Sequence, residues 1–197
     1  KIKFTEASVK TTLLKKTLKA TAAVKGFEGT STGTFQADLA SVAMPYSYNL
    51  QLTGVKAQAA VNQTVDSFVT KNPDQYKDKI TGVLNFAFQG TGQGFDPATL
   101  QKNLKGQGTF AITGVKVKAL ALLGGLFKNL KDKKEELSMD RMDGTLSVAD
   151  EKVTLKASSA CPTGTISADG VIGMNGEYAP EMMILADIHK EYLDSDA

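Results

Sequence analysis

The chain of 197 residues has one cysteine, one histidine and no tryptophan. A single thiol, Cys161, forms no internal disulfide. Neither it nor a lone imidazole builds a zinc site, which takes about four ligands drawn mainly from Cys, His and carboxylate. Acid–base catalysis also loses its commonest group. A triad would have to be assembled around His189, close to the end of the sequence, and Cys161 has no second histidine to serve as its base. An excess of one charge is missing too. The net charge is +2, with 23 Lys and Arg against 21 Asp and Glu, and the basic residues are spread along the chain, which argues against nucleic acid. No apolar run approaches the about 18 residues of a spanning helix. A piece cut from a longer protein is the expectation for a chain that begins on Lys1 inside a strand pattern.

What is present is alternation. Hydrophobic residues make up 42% and charged residues 22% of the chain, the balance of a folded globular domain able to bury one core. Apolar residues recur with a period of two, the spacing that gives a strand one oily face. Leu18, Ala20, Ala22 and Val24 share one parity, as do Phe35, Ala37 and Leu39, then Tyr46, Tyr48, Leu50 and Leu52. The clearest run, "ITGVLNFAFQG", places Ile80, Leu84, Phe86 and Phe88 together. Further runs follow at Leu146 and Val148, Val153 and Leu155, Ile166 and Ala168, and Ile184 and Ile188, with "ADEK", "CPTG" and "MNGE" as turns between antiparallel neighbours. A meander is the simplest arrangement.

Three segments carry helical spacing instead. In "AAVNQTVDSFVTKNPDQ", Val61, Val65, Phe68 and Val69 fall on one stripe that ends before Asn72-Pro73. In "DPATLQKNLKG", Asp96 caps, Pro97 opens and Gly106 closes a short helix. Residues 119–130 hold a leucine stripe for a third. The fold class expected is therefore mainly β (α+β): one domain over residues 1–197, a curled antiparallel sheet of amphipathic strands with two to three short amphipathic helices at its edge or face.

An internal echo links two of these units. "LQLTGVKAQAAVNQTVDSFV" from Leu50 and "FAITGVKVKALALLGGLFKN" from Phe110 share a strand, Thr-Gly-Val-Lys and a following helix. Phe110 and Ile112 differ in parity from Val115 and Val117, and a bulge at Gly114 would bring all four to one face. The clusters "GTGQG" (Gly90, Gly92, Gly94) and "GQG" (Gly106, Gly108) lack the lysine-hydroxyl ending of a phosphate loop, and read as flexible strand ends. Asp140, Asp143, Asp150 and Glu151 gather around turns without calcium-loop spacing. Lys56, Lys116 and Lys118 follow the Thr-Gly-Val turns and are candidates for a cationic rim of the apolar surface, against ordinary snorkelling on a solvated face.

The order of these pieces resembles a known family. From Tyr46 to Ile188, "LQLTGVKAQAAVNQTV", "FDPATLQKNLKGQGTFAITGVKVKALALLGGL" and "MDRMDGTLSVADEKVTLKASSACPTGTISADGVIGMNGEYAPEMMI" are similar to the C-terminal region of AsmA-like proteins of the diderm bacterial envelope. The positions that carry the resemblance are Leu104, Gly106, Gly108, Phe110, Ile112, Gly114, Leu120 and Leu122, then Gly144, Leu146, Val153, Leu155, Gly164, Ile166 and Gly170. The family's N-terminal membrane helix and longer β region are not in the sequence. The resemblance implies an elongated curled sheet with an apolar concave face, periplasmic and held at the inner membrane, that binds or moves phospholipid or another lipid in outer-membrane biogenesis. It implies no cofactor, no metal and no catalysis. Ile80, Leu84, Phe86, Phe88, Phe110 and Ile112 are then the lipid-facing candidates. The alternative is a structural module in which the same residues form a closed core and envelope proteins are the partners. An enzyme, a hydrolase built on His189, is the least favoured of the three.

Overall fold

The computed structural model describes residues 4–68, 74, 77–118, 136–161, 164–173 and 181–189. In chain order the elements are β1 (Phe4–Leu14), β2 (Thr17–Gly26), β3 (Gly29–Asp38), β4 (Pro45–Lys56), α1 (Ala57–Phe68), β5 (Ile80–Gln93), α2 (Pro97–Asn103), β6 (Lys105–Lys118), β7 (Glu136–Ala149), β8 (Lys152–Cys161), β9 (Gly164–Gly173) and β10 (Glu181–Ile188). The ten strands make one antiparallel sheet in sequence order, β1 through β10, and among the described residues the sheet does not close on itself. The expected meander is what forms. The third helical stretch, 119–130, lies outside the described residues.

Hairpin chemistry sets the connections. Lys15-Lys16, Phe27-Glu28 and Asp150-Glu151 are two-residue loops in which both residues have positive φ, between 47° and 63°. This is the turn whose twist matches that of the flanking strands. None of the six is glycine or asparagine, the residues that adopt this conformation at least cost.

Within the strands, exposure alternates residue by residue, as in β3 and β5. Register then aligns the less exposed residues across strands. Leu52 faces Phe86, Phe86 faces Phe110 and Phe110 faces Gly144. One step along, Leu50, Phe88, Gly108, Leu146 and Leu155 form a second row.

The sequence echo is a pair of bulges. In β4 the register slips between Leu52 and Val55, and in β6 the residues 114 and 115 stand against the single residue between Thr81 and Val83. Gly54 and Gly114 have φ of 67° and 60°, the left-handed conformation that glycine adopts without a Cβ clash. Each bulge swaps the inward parity, so that Val55 follows Leu52, and Val115 and Val117 follow Ile112, onto the same face. Val55 and Val115 are each 1% exposed. The N–H of Gly54 that the bulge releases from the ladder donates to Asn85 Oδ1 at 3.1 Å.

The helices are tied down by carboxylates. Asp78, just before β5, accepts from Gln58 Nε2 (2.7 Å) and Asn62 Nδ2 (2.8 Å) of α1, and its own N–H donates to Asn62 Oδ1 (3.0 Å). Asp96 caps α2 as expected, accepting from the Thr99 N–H at 3.0 Å, with Pro97 as the first helical residue. Gly106 does not close that helix: Leu104, in an extended conformation, is the cap, and Gly106 is the second residue of β6. The buried core sits toward the bulged end of the sheet, where Ala57, Ile112, Val115, Val117, Leu137, Met139 and Ile166 cluster.

Candidate apolar binding face

The apolar face carries a continuous line of aromatic rings. Phe95, in the loop before α2, stacks on Tyr46 with centroids 5.5 Å apart and lies 6.3 Å from Phe35; Phe35 and Tyr46 are 5.6 Å apart. From Tyr46 the line passes to Tyr48 (6.3 Å), from Tyr48 to Phe88 (5.7 Å) and from Phe88 to Phe86 (5.9 Å, planes within 11°). All these separations fall in the range of favourable ring contact. Phe86 and Phe110 then meet across the β5–β6 ladder.

The rings lie over glycines of the neighbouring strands. A Cβ on Gly90 or Gly92 would run into the Tyr48 or Tyr46 ring, one on Gly106 or Gly108 into Phe88, and one on Gly144 into Phe110. The clusters do lie toward strand ends, Gly90 and Gly92 near the end of β5, Gly106 and Gly108 at the start of β6, and Gly94 just past β5. Except at Gly94, and with Gly144 of β7 added, the missing side chains leave flat beds on which the rings rest. Burial raises the pKa of both Tyr46 and Tyr48 above the ordinary phenol value. The Tyr48 hydroxyl reaches the Lys105 carbonyl at 3.5 Å, a marginal hydrogen bond, while the buried Tyr46 hydroxyl has no partner.

The predicted site residues fall into two groups. Ile112 is 9% exposed and belongs to the core, with Ile80, Leu84 and Phe110 packed against it. Phe86 and Phe88 lie outside that cluster, half-buried, in the rows that also hold Leu52 and the more exposed Leu50. The six candidates share one face, but they divide between a closed end and an accessible middle. Phe35, Tyr46, Tyr48 and Phe95 complete the track and are not among the candidates. Three of them are visible in the alternation; the signal that joins them is the set of glycines opposite their rings.

The lysines point the other way. Lys56 and Lys116 are exposed on the polar side of the strand ends and are ion-paired, with Glu28 at 2.6 Å and Glu136 at 3.3 Å. Lys118 is exposed on the same side; the pKa of Asp78 is lowered first by its hydrogen bonds from Asn62 and Gln58, with the Lys118 charge adding to them. None of the three heads rims the apolar rows.

Open grooves among the described residues also run over the polar side. One of about 790 Å³ lies between the ridge of Gln51, Thr109 and Thr145 and the ridge of Asn85, Ala111 and Asp143. A second, of about 850 Å³, is bordered by Thr34, Asn49, Gln89 and Gln107. Asp143 is held below the usual carboxylate range by its two hydrogen bonds from Arg141, at 2.6 and 2.7 Å. His189 is exposed just beyond β10, and Cys161 is the last residue of β8. Among the described residues no group of three or more His, Cys, Asp or Glu is placed to hold a metal, and no helix is long and apolar enough to cross a membrane.

Comparison with protein-family models, curated proteins and solved structures finds no match. What the chain offers is thus its own geometry: a mainly β antiparallel sheet in whose middle strands, among the described residues, Leu50, Leu52, Phe86, Phe88 and Phe110 share one face.

Proposed function

We propose that the apolar face binds acyl chains, and that the chain is a non-catalytic, AsmA-like module for binding or transferring phospholipid or another lipid in outer-membrane biogenesis. In the full-length protein it would lie in the periplasm and be anchored at the inner membrane. The observation that carries this reading is the aromatic track from Phe95 to Phe86, continued by Leu50 and Leu52. It offers a long apolar strip without a charged side chain along it. Shielding one methylene is worth about 0.8 kcal/mol, so an acyl chain of about 16 carbons gains on the order of 10 kcal/mol without any specific polar contact. A strip of this kind accepts many lipids and needs no reacting group.

The test is binding of a fluorescent fatty acid or phospholipid to delipidated protein. Micromolar or tighter binding is expected, weakened at least tenfold by Phe88→Asp, with the far-ultraviolet circular dichroism unchanged. No binding under any condition, or binding indifferent to Phe88→Asp, overturns the proposal.

One observation favours a second reading for part of the face. Ile112, Val115 and Val117 are buried in the core, as in a structural module that assembles with envelope proteins. Pull-downs that return protein partners and no lipid would support it.

A further inference from the structure

The loops that follow β1, β3, β5 and β7 all lie at one end of the meander, away from the bulges of β4 and β6. The loop after β3 departs from ordinary turn composition. Such loops are built mainly from glycine, proline, asparagine, aspartate and serine, whereas residues 39–44 read "LASVAM", with Ser41 the one polar side chain. Backbone hydrogen bonds hold this loop in shape and fasten it to its neighbours. The Met44 N–H donates to the Ser41 carbonyl (3.1 Å), the Leu39 N–H to the Lys16 carbonyl of the β1–β2 loop (2.8 Å), and the Gly94 N–H of the β5–α2 loop to the Ala43 carbonyl (3.0 Å). On the corner so formed Val42 is 99% exposed, Phe95 45% and Leu39 38%. Single apolar residues scattered on a surface need no explanation, but three on loops bonded to one another make a patch.

The charges around the patch favour one kind of partner. Lys15 and Lys16 form the β1–β2 loop and are exposed, as is Lys102 on α2. None of the three makes an ion pair among the described residues. The carboxylates of the corner are engaged by backbone instead: Asp38 accepts from the Ala40 N–H (2.8 Å) and Asp96 from the Thr99 N–H (3.0 Å). The acidic loop Asp150-Glu151 lies at the same end, but β5 and β6 stand between it and β4. Apolar side chains that protrude among unpaired cations suit the boundary of a bilayer, where the first enter the acyl region and the second stay at the negatively charged surface.

We infer that this corner docks on the surface of an anionic lipid bilayer, with Val42 and Phe95 inserted and Lys15 and Lys16 facing the headgroups. Phe95 is also the first ring of the aromatic track, 5.5 Å from Tyr46. Docking therefore sets the start of the track against the membrane; the use of that point as the entrance for an acyl chain rests on the acyl-binding reading of the face.

Flotation with vesicles tests the docking. The chain should float with vesicles of phosphatidylglycerol and phosphatidylcholine in equal parts, less with pure phosphatidylcholine, and be released as salt is added. Val42→Asp should weaken binding roughly tenfold. Lys15→Gln and Lys16→Gln should each weaken it about fivefold, with circular dichroism unchanged in all three. Because the chain has no tryptophan, Val42→Trp supplies a single reporter. Its emission should shift to the blue on anionic vesicles and be quenched by brominated acyl chains, whereas Thr32→Trp, exposed in the middle of β3, should not respond. Absence of vesicle binding, binding indifferent to Val42→Asp, or a tryptophan at position 42 that stays in water overturns the inference. Uptake of a fluorescent phospholipid from the vesicles should slow in Val42→Asp, while affinity for a dissolved fatty acid stays that of the parent chain. Uptake at the parent rate overturns the entrance. Failure of every chain to bind dissolved fatty acid overturns the acyl-binding reading alone, since vesicle docking is read separately.

Discussion

Tyr46 shows how a single atom can be at odds with its surroundings. Its ring is the hub of the aromatic track and is 7% exposed, yet its hydroxyl is buried without a hydrogen-bond partner. An unpaired buried hydroxyl costs about 1–3 kcal/mol. Tyr46→Phe keeps the ring contacts and removes the orphan, so the variant should be more stable by about 1 kcal/mol, read as a higher urea midpoint at unchanged slope. Gly144 makes the complementary case. A methyl there would overlap the Phe110 ring and the Lys156 carbonyl, so Gly144→Ala should cost about 1–3 kcal/mol. Introduced into a Phe110→Ala background, the same change should cost less, because one of the two obstacles is gone. Parity made the apolar rows legible in the sequence. The purpose of the glycines was not, because a residue without a side chain gives no sign of what lies above it until strand register is known.

Among the elements, the "ADEK" hairpin loop was located correctly but for a generic reason, while "MNGE" and the middle of "CPTG" lie outside the described residues. "ADEK" marks a turn by composition, yet Asp150-Glu151 adopts the doubly left-handed conformation that asparagine and glycine normally supply. Replacing Asp150-Glu151 with Asn-Gly should raise stability by roughly 1 kcal/mol, given the cost of a left-handed non-glycine residue, and a thermal melt would register it. The bulge at Gly114 was legible from a parity break. Its twin at Gly54 was legible only as an echo, since the parity change from Leu52 to Val55 was hidden by the start of the helix that follows. Helix α2 announced its capping aspartate and proline, whereas its end was misassigned to Gly106 because the strand begins without a glycine turn.

Acid sensitivity belongs to this scale too. Asp78, Asp96 and Asp143 are each held below the ordinary value of 3.8 by hydrogen bonds to the charged form: from Asn62 and then Gln58, from the Thr99 N–H, and from Arg141. Since the folded pKa lies below the unfolded one, their contribution is present in full above about pH 4 and is lost as pH falls through the lowered values. The melting temperature should be level above that point and decline below it. Asp78→Asn should flatten part of that decline while loosening α1.

For the molecule as a whole, alternation in the sequence was enough to give the mainly β class and the meander, because each strand pairs with its neighbour in sequence and no crossover has to be inferred. Which rows pack into a core and which remain accessible was not legible. That division depends on the bulges, which gather Ile112, Val115 and Val117 at one end, and on aromatic contacts between residues as far apart in sequence as Phe35 and Phe95. The cationic rim failed at this scale as well: a lysine after an apolar strand residue belongs to the opposite face, and only side-by-side register reveals that its partner is Glu28 or Glu136.

A sheet whose every strand is flanked by its own sequence neighbours has an order of assembly written into it. No segment must wait for a distant one, so stability behaves as a sum of strand terms and nearest-neighbour terms, as it does in stacked repeats. Opening then proceeds by fraying, one hairpin at a time, from the two ends toward the middle. Amide hydrogen exchange should record this as a gradient, fastest in β1, with β5 to β7 protected longest. A single uniform rate across all ten strands would mean that the sheet instead opens as one cooperative unit.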